Sequence, residues 1–400
     1  MKTKFISIAA TLLLAASFTS SFAGVEWYGK GAICVNGNWY YADLSQDWCS
    51  TPFNNATIGN ISSLSFGGQA EVYDPGYNWG SDKYIKMFYK IDDGGFIQLD
   101  LYQKAYYDYE GNNNNVFQSG GQTWQPINID ISGLSNGNHT ISVYFDLWDG
   151  RRLPNAYDQY YVATFTKIPT VTLPNTGNVE STLNDYLEQP ARVILNGRTL
   201  YSDKWNTLCL PFNLSNFTGT PLAGADVRYL SSSSFVDGSL TLNFQSSNAI
   251  QAGIPYIVKL NGNSVENPTF DNVSITTTTA SSSPTDFVKF QGCFSSASIE
   301  GNQYLYLGAN STLYYPSTSK TIDAFRAYFQ LIGITAGDPT SAQGIKAINL
   351  NFGDDTNSIQ TISNESSSND GYYTLDGRRL NDKPATAGLY IINGKKVVIK

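Results

Sequence analysis

The strongest constraint on how this chain folds is a two-residue rhythm of apolar and polar side chains. In Tyr84–Ile91, Ile85, Met87, Tyr89 and Ile91 share one parity, while Lys86 and Lys90 take the other. Successive residues of a strand face opposite sides, so this pattern predicts a half-buried strand. An amphipathic helix would instead repeat its apolar positions about every 3.6 residues. Asp92-Asp93-Gly94-Gly95 supplies turn chemistry, and Phe96–Tyr102 resumes the rhythm with Ile97, Leu99 and Leu101. Two such runs around a short Asp/Gly turn predict a hairpin. After a second turn at Asn136-Gly137-Asn138, Ile141, Val143, Phe145 and Leu147 alternate in the same way. Strands at this density across residues 24–168 predict an antiparallel sandwich of immunoglobulin-like type.

The rhythm continues downstream, with longer polar intervals. Leu240–Phe244, Ile254–Leu260, Tyr304–Leu307 and Ile348–Phe352 are short apolar strands. Polar tracts at Ser231–Ser234 and Thr276–Ser283 lie between them. Helix is expected only at Ser181–Leu187 and Ile322–Phe329. Residues 169–353 therefore predict a second β-rich domain, and the Ser/Asn-rich acidic stretch 354–370 a linker. In residues 371–400, Tyr372–Leu375, Leu389–Ile392 and Lys395–Ile399 are strands, with turns at Asp376-Gly377 and Asn393-Gly394. Six Lys or Arg stand against two Asp in this tail, within a chain of net charge −8. The fold class expected of the whole is all-β.

Residues 1–23 read as a signal peptide: Lys2 and Lys4 precede the apolar Phe5–Phe18, and Ser21-Phe22-Ala23 offers a cleavage site before Gly24. No later segment approaches the ~18–20 uninterrupted apolar residues of a membrane-spanning helix. The acidic balance disfavours nucleic acid, whose phosphates call for clustered Lys and Arg. A secreted or cell-surface location follows as the expectation. Four cysteines in an exported chain allow three pairings. Assignment to separate domains favours Cys34–Cys49 and Cys209–Cys293 as disulfides; in the alternative, these are free thiols packed as small hydrophobes.

Two groups of segments resemble known material. Trp205-Asn206-Thr207-Leu208-Cys209-Leu210-Pro211-Phe212, Ala252-Gly253-Ile254-Pro255-Tyr256 and Ala324-Phe325-Arg326-Ala327-Tyr328-Phe329 look like a β module of Bacteroidetes surface and secreted proteins. Gly388–Lys400, with Asn393-Gly394 and Lys395-Lys396 inside it, resembles the C-terminal sorting tails read by a type IX-like secretion route. The resemblance covers roughly Arg192–Lys400. It implies location and export and carries no reaction with it. Contact with secretion machinery is assigned to Arg378, Arg379, Lys395 and Lys396, whose charge is opposite to that of the rest of the chain. Arg326 is expected to pair with a carboxylate.

The N-terminal block holds six of the seven Trp: Trp27, Trp39, Trp48, Trp79, Trp124 and Trp148. Alternation places Tyr144, Asp146 and Trp148 opposite the apolar set Ile141, Val143, Phe145 and Leu147. Aromatic rings stack on sugar C–H faces while carboxylates and amides meet hydroxyls, so these three residues form a candidate glycan platform. Tyr102, Tyr107 and the Asn-rich loop 111–115 extend it. The competing reading makes the same rings core or edge packing. One His in the chain removes chemistry that needs two imidazoles, including His-rich zinc sites. His139 is expected to be structural. A glycosidase needs two facing carboxylates, and Asp74, Asp82, Asp92, Asp93, Asp146 and Asp149 are candidates that no motif selects among. No cofactor is expected. The expected function is non-catalytic binding of an extracellular glycan; adhesion to a surface protein is the alternative, and glycan hydrolysis ranks third.

Overall fold

The computed structural model describes residues 31–41, 52–74, 84–109, 112–118, 125–147, 152–153, 159–308, 311–337, 341–353, 358–360, 363–364, 372–374, 379–380, 384, 388–392 and 395–399. The expected signal peptide Met1–Ala23, Cys49, Arg378 and Trp148, with Trp27, Trp48, Trp79, Trp124 and the candidate carboxylates Asp82 and Asp149, lie outside them. The described residues are nearly all in strands and turns. They fall into two compact units divided at Phe165/Thr166, with Asn60–Ser62 and Leu134–Gly137 counted in the second.

The first unit is built on β1 (Gly31–Val35), β2 (Asn38–Tyr41), β3 (Thr57–Ile61), β4 (Leu64–Asp74), β5 (Ile85–Ile91), β6 (Ile97–Tyr109), β7 (Asn112–Gln118), β8 (Ile127–Ile129), β9 (Gly137–Leu147), β10 (Arg152–Leu153) and β11 (Tyr161–Lys167). Hydrogen bonding runs in the order β2-β1-β4-β7-β6-β5-β9-β11-β3, with β8 on β4 and β10 on β9. This continuous sheet doubles over into two layers. β4 and β5 are not neighbours in it, yet the Phe66 and Tyr89 rings lie 5.1 Å apart. A Cβ on Gly68 would meet Met87 Sδ at 2.6 Å, so glycine lets the layers approach there. The fold turns within β6, whose Ile97–Leu101 pair with β5 and whose Tyr102–Tyr109 pair with β7. A bulge between Gln103 and Ala105 follows the handover, and bulges bend and twist the strand that carries them. The core between the layers buries Ile33, Leu64, Phe66, Ile85, Met87 and Phe165.

In the second unit, one six-stranded sheet has the order Asn206–Cys209, Pro255–Lys259, Asp226–Val236, Ser239–Ser246, Ala347–Asn351, Ser358–Gln360. Another runs Ser282–Pro284, Val288–Cys293, Arg326–Leu331, Tyr304–Leu307, Leu313–Tyr315, Ser363–Asn364. The two face each other: Phe244 of the first meets Phe290 of the second edge-on at 6.4 Å, and Phe290 stacks on Phe329 at 4.4 Å. A three-stranded sheet, Thr170–Pro174, Pro190–Asn196 and Thr269–Ser274, adds a second core around Leu173, Val193, Phe212 and Phe270. The tail forms a small sheet of its own, in the order Arg379–Leu380, Tyr372–Thr374, Gly388–Ile392, Lys395–Ile399. Among the described residues, no helix is long and apolar enough to cross a membrane.

Three expectations about local structure need correction. Glu180–Asp185 is the helix foreseen near Ser181, but Ile322–Phe329 is not helical. It holds the end of strand Lys320–Ile322 and most of Arg326–Leu331, which buries alternate residues. Phe325 between them has φ +57°, a left-handed conformation that no right-handed helix contains. Ser231–Ser234 is no loop but the middle of strand Asp226–Val236, and residues 112–115 belong to β7. In each case backbone groups pair with neighbouring strands whatever the side chains are.

The cysteine pairing is corrected too, since Cys34, Cys209 and Cys293 are buried free thiols. Cys209 Sγ lies 2.5 Å from the position a Cβ on Gly292 would take. Cys293, the next residue of that strand, faces the other way, toward Ile299, Tyr306 and Ile322. The two thiols stand on opposite sides of one strand, where no bridge can join them. Cys34 packs in β1 as a small hydrophobe at 2% exposure.

Candidate binding face of the first unit

β5 lies between β6 and β9, with Phe88 opposite Gln98 on one side and Tyr144 on the other. Ile85, Met87, Tyr89, Ile141, Val143 and Phe145 point into the core. Their alternates, Lys86, Phe88, Lys90, Tyr144 and Asp146, therefore form the outer face. On β6 the same parity brings Gln98, Asp100 and Tyr102 onto it.

This face is arranged in rows. Asp100, Lys86, Asp146 and Arg152 stand in register across β6, β5, β9 and β10. Their signs alternate, and opposite charges directly across strands attract. Gln98 Nε2 donates to Asp100 Oδ1 at 2.6 Å. The next row is aromatic: Phe88 and Tyr144 stack with centroids 4.6 Å apart and planes 7° apart. Arg152 reaches in from β10, on the far side of β9, and sets its guanidinium carbon 3.4 Å over the Tyr144 ring. Phe96 meets Tyr144 edge-on at 4.9 Å and packs against Tyr160 at 4.8 Å. Lys90 Nζ lies 5.2 Å over Phe96. Burial raises the Tyr144 phenol above its ordinary pKa; Arg152 opposes this, and Asp146 and Tyr160 add to it.

The Tyr144 ring is thus engaged from within the protein by a stacked ring and a guanidinium. The ring ties Phe88, Arg152 and Phe96 together. Asp146 remains half-buried in the charged row. The open rings lie on the other side of the charged row. Tyr102 is 55% exposed and Tyr84 is 42% exposed. Continuing the Ile85–Leu101 register by one residue brings Tyr84, just before β5, and Tyr102 of β6 to the same end of the outer face. Lys86 Nζ sits 4.7 Å over the Tyr84 ring. Tyr107 lies on β6 opposite Asn114, and Trp148 is outside the described residues.

Tyr84, Phe88, Phe96, Arg152 and Tyr160 were not picked out by sequence reasoning. Phe88 carried a signal, since it interrupts the Lys86–Lys90 parity with a large apolar ring on the polar side. Arg152 carried none, because its contact with Tyr144 depends on how β10 returns to β9. His139 is structural as expected: it is 7% exposed, its Nδ1 lies 2.7 Å from Asp92 Oδ2, and its ring packs 5.4 Å from Phe165. Arg326 pairs with a carboxylate, Asp323, at 3.2 Å. In the tail, Lys395 and Lys396 lie opposite Ile392 and Ile391, and Arg379 lies opposite Tyr373. Among the described residues, no three His, Cys, Asp or Glu side chains are grouped as a metal site requires.

No protein-family model matches this sequence, and comparison with curated proteins finds no significant likeness. The chemistry of the face is therefore the basis for a functional reading.

Proposed function

We propose that this chain is a secreted or cell-surface binding protein that recognises an extracellular glycan, without catalysis, on the outer face of β5, β6 and β9. The observation that carries this reading is the exposed Tyr84–Tyr102 pair beside Asp100, Gln98 and Asp146. Two open rings supply stacking surface for sugar C–H faces. The adjoining carboxylates and amide accept and donate to hydroxyls. On the same face, beyond the charged row, the Phe88–Tyr144–Arg152 stack ties β5, β9 and β10 together, which favours a rigid surface and a low ordering entropy on binding. In this reading the second unit acts as a spacer and the basic tail as an export signal. The leader at Met1–Ala23 and the resemblance of Gly388–Lys400 to sorting tails support that assignment.

The test is a glycan array with the full chain, followed by titration of the best polysaccharide against three variants. Tyr102→Ala and Tyr84→Ala are each expected to weaken binding roughly tenfold, the loss of one stacked ring worth about 1–1.5 kcal/mol. Tyr144→Ala is expected to lower thermal stability more than it changes affinity measured at low temperature. An array without hits, together with capture of a surface protein that Tyr102→Ala abolishes, would replace the glycan with a protein ligand on the same face.

A further inference from the structure

A second polar cluster lies inside the second unit. Arg198, just after the turn that ends strand Pro190–Asn196, is 1% exposed. Its Nη2 donates to the Thr207 carbonyl oxygen at 2.6 Å. Its Nε and Nη1 are buried and have no acceptor among the described residues. A guanidinium carries five N–H donors and keeps its charge, so burying one with two nitrogens unserved is costly. Thr207 links it to the strand of Arg326. The Thr207 hydroxyl accepts the Ala327 amide at 3.1 Å, so one threonine engages both arginine segments. Arg326 Nη2 reaches Asp323 Oδ2 at 3.2 Å, and Arg326 Nε is also buried without an acceptor. Around Thr207 the two arginine segments thus meet, and Asp323 is the carboxylate paired with Arg326. Burial pulls Arg198 down to about 9, the charge of Arg326 adds to the effect, and Asp323 works against it.

The same niche has an acceptor in need of a donor. Asn175 Nδ2 donates to Asp323 Oδ2 at 3.3 Å, which leaves Asn175 Oδ1 buried and unpaired. Water would serve these hydrogen bonds yet leave the excess positive charge in place. Cys293, beside Arg326 in the sheet, is a poor nucleophile because burial pushes its thiol up to about 11, so thiol chemistry does not account for the cluster.

We propose that this niche is a binding site for a small inorganic oxyanion, hydrogenphosphate matching it best. Its unprotonated oxygens accept from one open edge of the Arg198 guanidinium and from Arg326 Nε, and its P–OH donates to Asn175 Oδ1. Sulfate, which carries no proton near neutral pH, lacks that last contact. Entry is on the side of Arg326 and Asp323, whose side chains are 30% and 35% exposed. Ala324 and Phe325 between them are fully buried, which favours a free ion over a group on a larger molecule.

The experiment is thermal unfolding of the full chain, purified without phosphate, against titrated phosphate, sulfate, phenyl phosphate and chloride at constant ionic strength. Calorimetric titration of phosphate accompanies it. A saturable Tm rise of roughly 5 °C at about a hundredfold excess over Kd is expected with phosphate. Sulfate should give a smaller rise and chloride none. Arg198→Met tests the floor of the niche directly but is expected to fold poorly; Arg326→Gln, at the partly exposed edge, keeps the fold and should cut phosphate affinity at least tenfold. A phosphate response no different from chloride, or one kept in full by Arg326→Gln, overturns the site. Equal responses to sulfate and phosphate overturn the role of Asn175, and an equal response to phenyl phosphate overturns the free-ion assignment.

Discussion

Asp92 shows how one side chain holds a turn and a strand together. It sits at φ +50° in the β5–β6 turn, a left-handed conformation that Asp and Asn tolerate better than most residues. Its carboxylate accepts from His139 Nδ1 at 2.7 Å and from the Thr140 amide at 2.8 Å. Burial alone would raise its pKa, but these hydrogen bonds and the imidazole charge outweigh burial and leave it lowered. A carboxylate with a lowered folded pKa contributes stability above its unfolded pKa of about 3.9, and that contribution is lost as pH falls through the folded value. Asp92→Asn keeps the turn conformation and removes the charge. It is expected to cost about 1 kcal/mol at pH 7, a modest figure because the carboxylate is 43% exposed. Chemical denaturation from pH 7 to pH 2 should show the two proteins converging below about pH 4; a gap that stays constant with pH would assign the effect to shape instead of charge. At this scale the sequence was half-informative. The Asp-Asp-Gly-Gly run marked the turn, and the lone His was read as structural, but nothing local to either residue showed that they meet.

At the scale of strands, period-two alternation reported β5 and the start of β6 to within a residue, because half-buried strands must put apolar side chains on one face. It failed where the pattern was ambiguous. Ile322, Phe325 and Phe329 suit a helical stripe by spacing, yet the left-handed Phe325 separates two strands there. It also failed where side chains say little about the backbone, as in the serine run 231–234. Close approach between strands is likewise set by tertiary packing, and Gly292 is the sharpest case. A methyl there would meet Cys209 Sγ at 2.5 Å, with Cys209 Cβ and the Ser281 carbonyl oxygen both at 3.2 Å. The sulfur is fully buried and cannot swing clear. Gly292→Ala is expected to destabilise by about 1–3 kcal/mol through overpacking. Cys209→Ala opens the space, so the double variant should lose less than the sum of the two single losses. A coupling of about 1 kcal/mol in a denaturation cycle would bear this out; simple additivity would mean the strand shifts to make room.

Across the described residues, stability rests on packed β layers, with Cys34, Cys209 and Cys293 as free thiols. The first unit folds one sheet over itself around Phe66, Met87 and Phe165, and the second closes two six-stranded sheets over Phe244, Phe290 and Phe329. Domains with cores of this size do not need the bridges on which small exported domains depend. That is why the expectation of disulfides, drawn from reading four cysteines in a chain expected to be exported, failed for the described ones. The count was legible in the sequence, but the side of the strand on which each thiol stands was not. Burial sets the chemistry of these thiols. It raises Cys34, lifts Cys293 to about 11 and holds Cys209 well above the ordinary range. The reactive species is the thiolate, so at pH 8 each side chain is both shielded and protonated. Treatment of the native full chain with a disulfide reagent, followed by mass-spectrometric mapping, is expected to find Cys34, Cys209 and Cys293 unmodified. Guanidinium should expose all three together with the loss of β structure. A reductant should leave Tm unchanged if no bridge joins these positions. A mapped Cys209–Cys293 peptide would show that the strand carrying Gly292 and Cys293 can turn its faces over, and the packing derived for Cys209 would have to be abandoned.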